Sequence, residues 1–138
     1  MRLHGTLMKS GRVWLAEVPD LDAMTQGKNR DDALRMIKSW VRDILGRQDL
    51  PILVEPESKG DGFTLTCPEA GPMVALLLRR KREAAGLSLA EVAVRLGAKS
   101  RNAYARYEQG QAVPTLEKLD QLLTAIEPDH GGFLLTCG

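Results

Sequence analysis

Apolar residues recur at short, strand-like spacing in the first part of the chain and at helical spacing in the last, and this change of period divides the sequence. Arg2-Leu-His-Gly-Thr-Leu-Met-Lys9 and Val13-Trp-Leu-Ala-Glu-Val18 are partly alternating runs on either side of Ser10-Gly11, the pattern of a β-hairpin. A third short strand is expected over Ala23 to Gln26. Asn29 then caps a helix with Asp31 and Asp32 in its first turn, with Leu34, Ile37, Val41, Ile44 and Leu45 on one stripe, and Gly46 ends it. Pro51-Ile-Leu-Val-Glu55 and Gly62-Phe-Thr-Leu-Thr-Cys67 read as strands joined by the loop Pro56 to Asp61. The order is β-β-β-α-β with one possible further strand.

Pro68-Glu-Ala-Gly-Pro72 is rich in breakers and reads as a linker. Beyond it four short helices follow, each bounded by a cap or a glycine. They are Val74 to Ala85 ending at Gly86, Leu89 to Leu96 capped by Ser88 and ending at Gly97, Ser100 to Gln109 ending at Gly110, and Leu116 to Ile126 capped by Thr115. Helices this short are unstable alone in water. They are expected to pack through Leu77, Leu78, Val92, Ala93, Leu96, Tyr104, Tyr107, Leu116, Leu119 and Leu122.

Charge sharpens the division. The net charge of the 138 residues is only +1, which excludes a uniformly basic nucleic-acid binder. Yet residues 1–71 hold 10 basic and 11 acidic side chains, residues 72–114 hold 8 and 3, and residues 115–138 hold 1 and 4. Positive charge is concentrated on the helical segment. The longest apolar run, Met73 to Leu78, is far short of a bilayer span, and residues 1–20 lack a secretory pattern, so a cytoplasmic protein without membrane contact is expected. Cys67 and Cys137 have no His or Cys at zinc-ligand spacing, so neither a metal site nor any other cofactor is expected, and both thiols read as reduced, half-buried side chains.

Within the helical segment, Gly86-Leu-Ser-Leu-Ala-Glu-Val-Ala-Val-Arg-Leu-Gly97, Lys99-Ser-Arg-Asn-Ala-Tyr-Ala-Arg-Tyr-Glu-Gln-Gly110 and Val113-Pro-Thr-Leu116 stand in succession. Ala93 is small where two helices would cross, Gly97 permits a tight turn, and Tyr104 and Tyr107 anchor one face of the next helix. The segment resembles the lambda-repressor-like (XRE) helix-turn-helix. That resemblance implies a recognition face of Ser100, Arg101, Asn102, Arg106 and Gln109, with Lys99 and Ser88 available to phosphates, since Arg pairs with guanine and Asn or Gln with adenine. Leu89 replaces the family's usual Gln, and the turn from Gly97 to Tyr104 is one residue longer than usual. Which of Lys99, Ser100 and Arg101 reaches bases is left open.

Glu17-Val-Pro-Asp-Leu-Asp-Ala-Met-Thr-Gln-Gly-Lys-Asn-Arg-Asp-Asp-Ala-Leu34 resembles the HicB antitoxin signature: a Val-Pro-Asp-Leu stretch, a Thr-Gln-Gly turn and an acidic helix start. The resemblance implies a β-β-β-α-β partial RNase H-like domain that binds a HicA-like, mRNA-cleaving toxin. Glu17, Asp20, Asp22, Asp31 and Asp32 form an acidic stretch suited to a basic toxin surface. Favourable helix-dipole charge explains Asp31 and Asp32 equally well.

No catalytic constellation accompanies these motifs. Two-metal phosphodiester cleavage needs carboxylates converging from central strands, whereas most of these acids fall in a loop and a helix start. His4 and His130 are the only histidines, and no phosphate-binding Gly-x-x-x-x-Gly-Lys loop occurs. The combined expectation is an α+β protein that is not an enzyme. Residues 1–67 form the toxin-binding domain, 68–72 a linker, 73–126 the helix-turn-helix domain that represses the protein's own operon, and 127–138 a C-terminal segment. Gly132-Phe-Leu-Leu-Thr-Cys137 echoes Gly62-Phe-Thr-Leu-Thr-Cys67 and is expected to pair across a two-fold axis, giving a homodimer or a higher even oligomer that binds operator DNA. The alternative is a stand-alone transcription regulator whose N-terminal domain senses a ligand or only oligomerises.

Overall fold

The computed structural model describes residues 1–128. The chain separates into two compact units, Met1–Ala70 and the part from Gly71 onward, and the whole is α+β.

In the first unit, β1 (Arg2–Ser10) and β2 (Val13–Val18) form the expected hairpin, with Ser10 opposite Val13. Gly11 opens its two-residue loop at φ +60°, a left-handed conformation that such tight loops require. A single 3-10 turn, Pro19–Leu21, leads into β3 (Ala23–Gly27). Helix α1 (Arg30–Leu45) follows, and the Asn29 side chain accepts a hydrogen bond from the Asp32 N–H. Two further strands complete the unit, β4 (Leu53–Pro56) and β5 (Gly62–Thr66), so the possible extra strand is real. All neighbours in the five-stranded sheet, ordered β3-β2-β1-β5-β4, are antiparallel.

Alternation sorts the strand residues onto two faces. Leu3, Leu7, Ala16, Val18, Ala23, Phe63 and Leu65 are buried on one face, and α1 contributes Ala33, Leu34, Ile37 and Val41 to the same core. Burying a side chain such as Ile37 stabilises the fold by about 2 kcal/mol. Two glycines are required by close approach. Gly5 lies opposite Phe63, and a Cβ there would stand 2.2 Å from the ring. Gly27 lies against the first turn of α1, where a Cβ would stand 2.3 Å from the Ala33 backbone nitrogen. The Thr-Gln-Gly segment is thus the end of a strand onto which the helix is laid. Arg30 adds a clamp: its guanidinium lies 5.1 Å from the Trp14 ring centroid and donates to the Gly60 carbonyl at 2.9 Å.

The helical part departs from expectation at its start. Helix α2 runs over Ala70–Ala84 and so begins inside the stretch 68–72 read as a linker. Pro72 is the third residue of the helix, where its missing N–H would have had no intrahelical acceptor, so it sits there at little cost. Helices α3 (Leu89–Arg95), α4 (Arg101–Glu108) and α5 (Leu116–Ile126) follow. Their core takes Met73, Leu76, Leu77, Leu78, Val92, Ala93, Tyr104, Leu119, Leu122 and Ile126. Leu116, expected in that core, is 75% exposed as the first residue of α5. Tyr107 and Leu96 are only half-buried. Cys67 is fully buried rather than half-buried and is a free thiol. Cys137, His130 and the strand expected over 131–137 lie outside the described residues. Among the described residues no helix is long and apolar enough to cross a membrane.

Candidate nucleic-acid interface

Local sequence signals build the helical frame one boundary at a time. Ser88 forms a capping box: its hydroxyl accepts from the Glu91 N–H at 3.1 Å, and its own N–H donates to the Glu91 carboxylate at 2.8 Å. The hydroxyl expected to meet phosphate is therefore engaged in holding the start of α3. Gly97, at φ +69°, turns the chain from α3 toward α4. The Thr115 hydroxyl accepts from the Lys118 N–H at 3.1 Å and starts α5. At the other end of that helix Arg95 donates to the Ala125 carbonyl at 3.0 Å, tying α3 to the C-terminal turn of α5.

Helix α4 is held from below. Tyr104 and Ala105 are buried, and Glu108 is paired with Arg82 of α2, whose Nε donates to both carboxylate oxygens at 2.9 Å. Arg82 also donates through Nη1 to the Leu87 carbonyl at 2.8 Å. Burial pushes the Glu108 carboxyl above its ordinary range, an effect that Arg82 partly opposes. Burial and the neighbouring Glu108 also raise the Tyr104 hydroxyl, which has no hydrogen-bond partner among the described residues.

The opposite side of α4 is free. At 100° per residue, Asn102, Arg106 and Gln109 fall on one outward stripe beside Ala103, and all four are exposed. Arg101, expected on this face, instead shares a line with Ala105 and Glu108, which point into the domain. It is exposed because it occupies the first turn. Ser100 is the N-cap residue of α4 and makes no side-chain capping bond, and Lys99 precedes it, exposed. Among the described residues of this unit, Arg79, Arg80, Lys81 and Arg82 are paired with Glu83, Glu127 or Glu108, whereas Lys99, Arg101 and Arg106, at and just before α4, enter no ion pair, nor do Arg95 and Lys118 on the neighbouring helices. Three uncompensated cations and two amide side chains at one helix are what phosphates and base edges require.

The acids of the first unit are dispersed. Glu17 lies opposite Met24 on the sheet face away from α1, Asp20 is in the 3-10 turn, and Asp22 follows it at φ +47°. Asp31 and Asp32 open α1, and Asp32 is committed locally: it accepts from the Lys28 N–H and pairs with Arg35, which hold its carboxyl below the ordinary range. Among the described residues no group of three or more His, Cys, Asp or Glu is placed to hold a metal ion.

The Arg82 to Glu108 pair had no signal along the chain, because its members stand 26 residues apart. Curated proteins give no match to this chain. Residues 74–129 match a helix-turn-helix domain family, a span that takes in most of α2 and all of α3 to α5, and the match supports a DNA-binding helix-turn-helix there.

Proposed function

We propose that the protein is a HicB-type antitoxin that neutralises a small HicA-like RNA-cleaving toxin through its first unit and represses its own operon through an XRE-type helix-turn-helix. The observation that carries the DNA half is the outward stripe Asn102, Arg106 and Gln109 on a helix anchored by Tyr104 and Glu108. The DNA domain binds operator sequence upstream of the pair of genes. Support for the antitoxin half comes from the HicB-like segment. Its Val-Pro-Asp-Leu stretch makes the 3-10 turn, its Thr-Gln-Gly ends β3, and its Asp-Asp-Ala-Leu opens α1. The β-β-β-α order with one helix on one face of the sheet is consistent with a partial RNase H-like domain. In this reading the protein catalyses no reaction, acts in the cytoplasm, and blocks the toxin by occupying the basic surface that the toxin presents to RNA.

Co-expression of the full chain with the product of the adjacent gene tests the proposal. A small basic protein that co-purifies, and whose growth arrest is relieved by this chain, supports it. An adjacent gene product that neither binds nor is toxic overturns the antitoxin reading and leaves a stand-alone DNA-binding regulator.

A further inference from the structure

Helix α4 turns a small residue toward its open side. Tyr104, Ala105 and the Glu108 side chain define the face by which α4 is held in the domain. At about 100° per residue, Ala103 and Arg106 both lie within about 35° of the direction opposite to that face, whereas Asn102 and Gln109 stand about 65° and 85° round from it. All four are exposed. Residues three apart on a helix are surface neighbours, so Ala103 and Arg106 form one pair at the centre of the outward face. A single methyl group thus occupies the centre of a surface otherwise made of Lys99, Asn102, Arg106 and Gln109. Ala105 is buried, where a small side chain suits the packing, but Ala103 is exposed and packing within the domain sets no limit on its size.

We infer that Ala103 is a specificity-determining residue of the DNA interface, its methyl seated against the C5-methyl of a thymine while Arg106 pairs with O6 and N7 of a guanine within two base pairs of it. In a helix-turn-helix the second helix enters the major groove, and after α3 and the turn at Gly97 that helix is α4. Its most outward residue meets the base edges first. A long side chain there would hold the helix axis away from the bases, whereas a methyl lets the backbone approach and keeps Asn102 and Arg106 within reach of them. Thymine is the base whose major-groove edge carries a methyl, and an alanine methyl is an apolar contact suited to it. The guanidinium of Arg106 fits guanine in the same groove. Three residues of α4 rise about 4.5 Å against about 3.4 Å for one base-pair step, which sets the two bases one or two steps apart. This contact rests on the helix-turn-helix binding DNA and not on the antitoxin role.

Repeated selection by the full chain from a pool of random DNA duplexes supplies the probe. A chain that enriches no duplex overturns DNA binding itself and the contact with it, whereas the remaining results bear on the contact alone. Each thymine of the enriched duplex is replaced in turn by uracil, which keeps the base pair and deletes only the methyl. At one thymine, wild-type affinity is expected to fall about four-fold, the worth of one buried methyl. Ala103→Gly is expected to bind the thymine and uracil duplexes equally, a ratio that a general loss of helix stability does not move. Ala103→Leu, whose bulk lifts the helix, is expected to weaken both by about ten-fold. With 7-deazaguanine, which lacks N7, within two base pairs of that thymine, wild type is expected to lose about ten-fold and Arg106→Ala nothing further. Positions 103 and 106 are exposed, so each variant is expected to keep the circular dichroism of wild type. An enriched duplex that tolerates uracil at every thymine, an Ala103→Gly that still distinguishes thymine from uracil, or an Ala103→Leu that binds as wild type does would each overturn the assignment.

Discussion

Arg82 on α2 and Glu108 at the end of α4 form an ion pair between helices, with side chains only 15% and 5% exposed. An ion pair this enclosed recovers its desolvation cost only while both members are present, and removing one leaves the other buried and uncompensated. Arg82→Ala is therefore expected to destabilise the protein by about 3 kcal/mol, and it also frees the Leu87 carbonyl. Replacing the pair together, as Arg82→Met with Glu108→Leu, should recover most of that loss. Urea denaturation of the three proteins decides the matter. If the double variant is as unstable as Arg82→Ala alone, the cost lies in packing rather than in stranded charge.

The same pair carries a pH signature. Burial raises the Glu108 carboxyl above its ordinary 4.5 in the folded chain, so between 4.5 and the raised value the folded state binds more protons than the unfolded one. The contribution of Glu108 to stability is therefore fully present below pH 4.5 and falls as pH rises through that window. Arg82 holds the carboxyl down, so in Arg82→Ala the fall should continue to higher pH. The readout is the stability difference between each protein and its Glu108→Gln counterpart as a function of pH. A difference that is flat across the acid range would remove Glu108 as its source.

Much of the fold was legible because it is set by neighbours in sequence. Asn29, Ser88 and Thr115 cap the helices assigned to them, and β2 and α5 have the expected bounds. The misreadings have physical causes. A breaker rule applied to Pro72 ignores that the first turn of a helix needs no N–H from it. Leu116 lies at the margin of the stripe set by Leu119, Leu122 and Ile126, but as the first residue of α5 it has no turn of the helix before it and is exposed. The Arg82 to Glu108 pair depends on which segments the fold brings together, and no local pattern encodes that.

On α4 the helix phase sorts the exposed polar side chains into two groups, Asn102, Arg106 and Gln109 on the outward stripe and Arg101 off it. Asn102→Ala and Arg106→Ala should each cost roughly 1–3 kcal/mol in operator binding and relax sequence preference, because both lie on the outward stripe. Lys99→Ala and Arg101→Ala should weaken operator and unrelated DNA alike and each lower the salt dependence by about one unit of slope. Titrations on operator and scrambled DNA at several salt concentrations distinguish the groups. If Arg101→Ala relaxes sequence preference more than Asn102→Ala does, the assignment by helix phase is wrong.

Two glycines of the first unit offer a matched test of close approach against backbone strain. At Gly46, which ends α1 at φ +63°, an added Cβ meets nothing within 4 Å, so Gly46→Ala bears only the left-handed conformation, about 1 kcal/mol. At Gly27 the added Cβ would stand 2.3 Å from the Ala33 nitrogen and 2.6 Å from the Asp32 carbonyl carbon. These are backbone atoms held by the first turn of α1, where the Asn29 cap and the Lys28 N–H to Asp32 bond fix the chain, so no rotamer change relieves the overlap. The helix must lift from the strand, and overpacking of this kind costs about 3 kcal/mol. Gly27→Ala is thus expected to lower thermal stability clearly more than Gly46→Ala and to raise amide exchange in the first turns of α1, while Gly46→Ala leaves those amides protected. Equal losses from the two substitutions would mean that α1 is not seated on the end of β3.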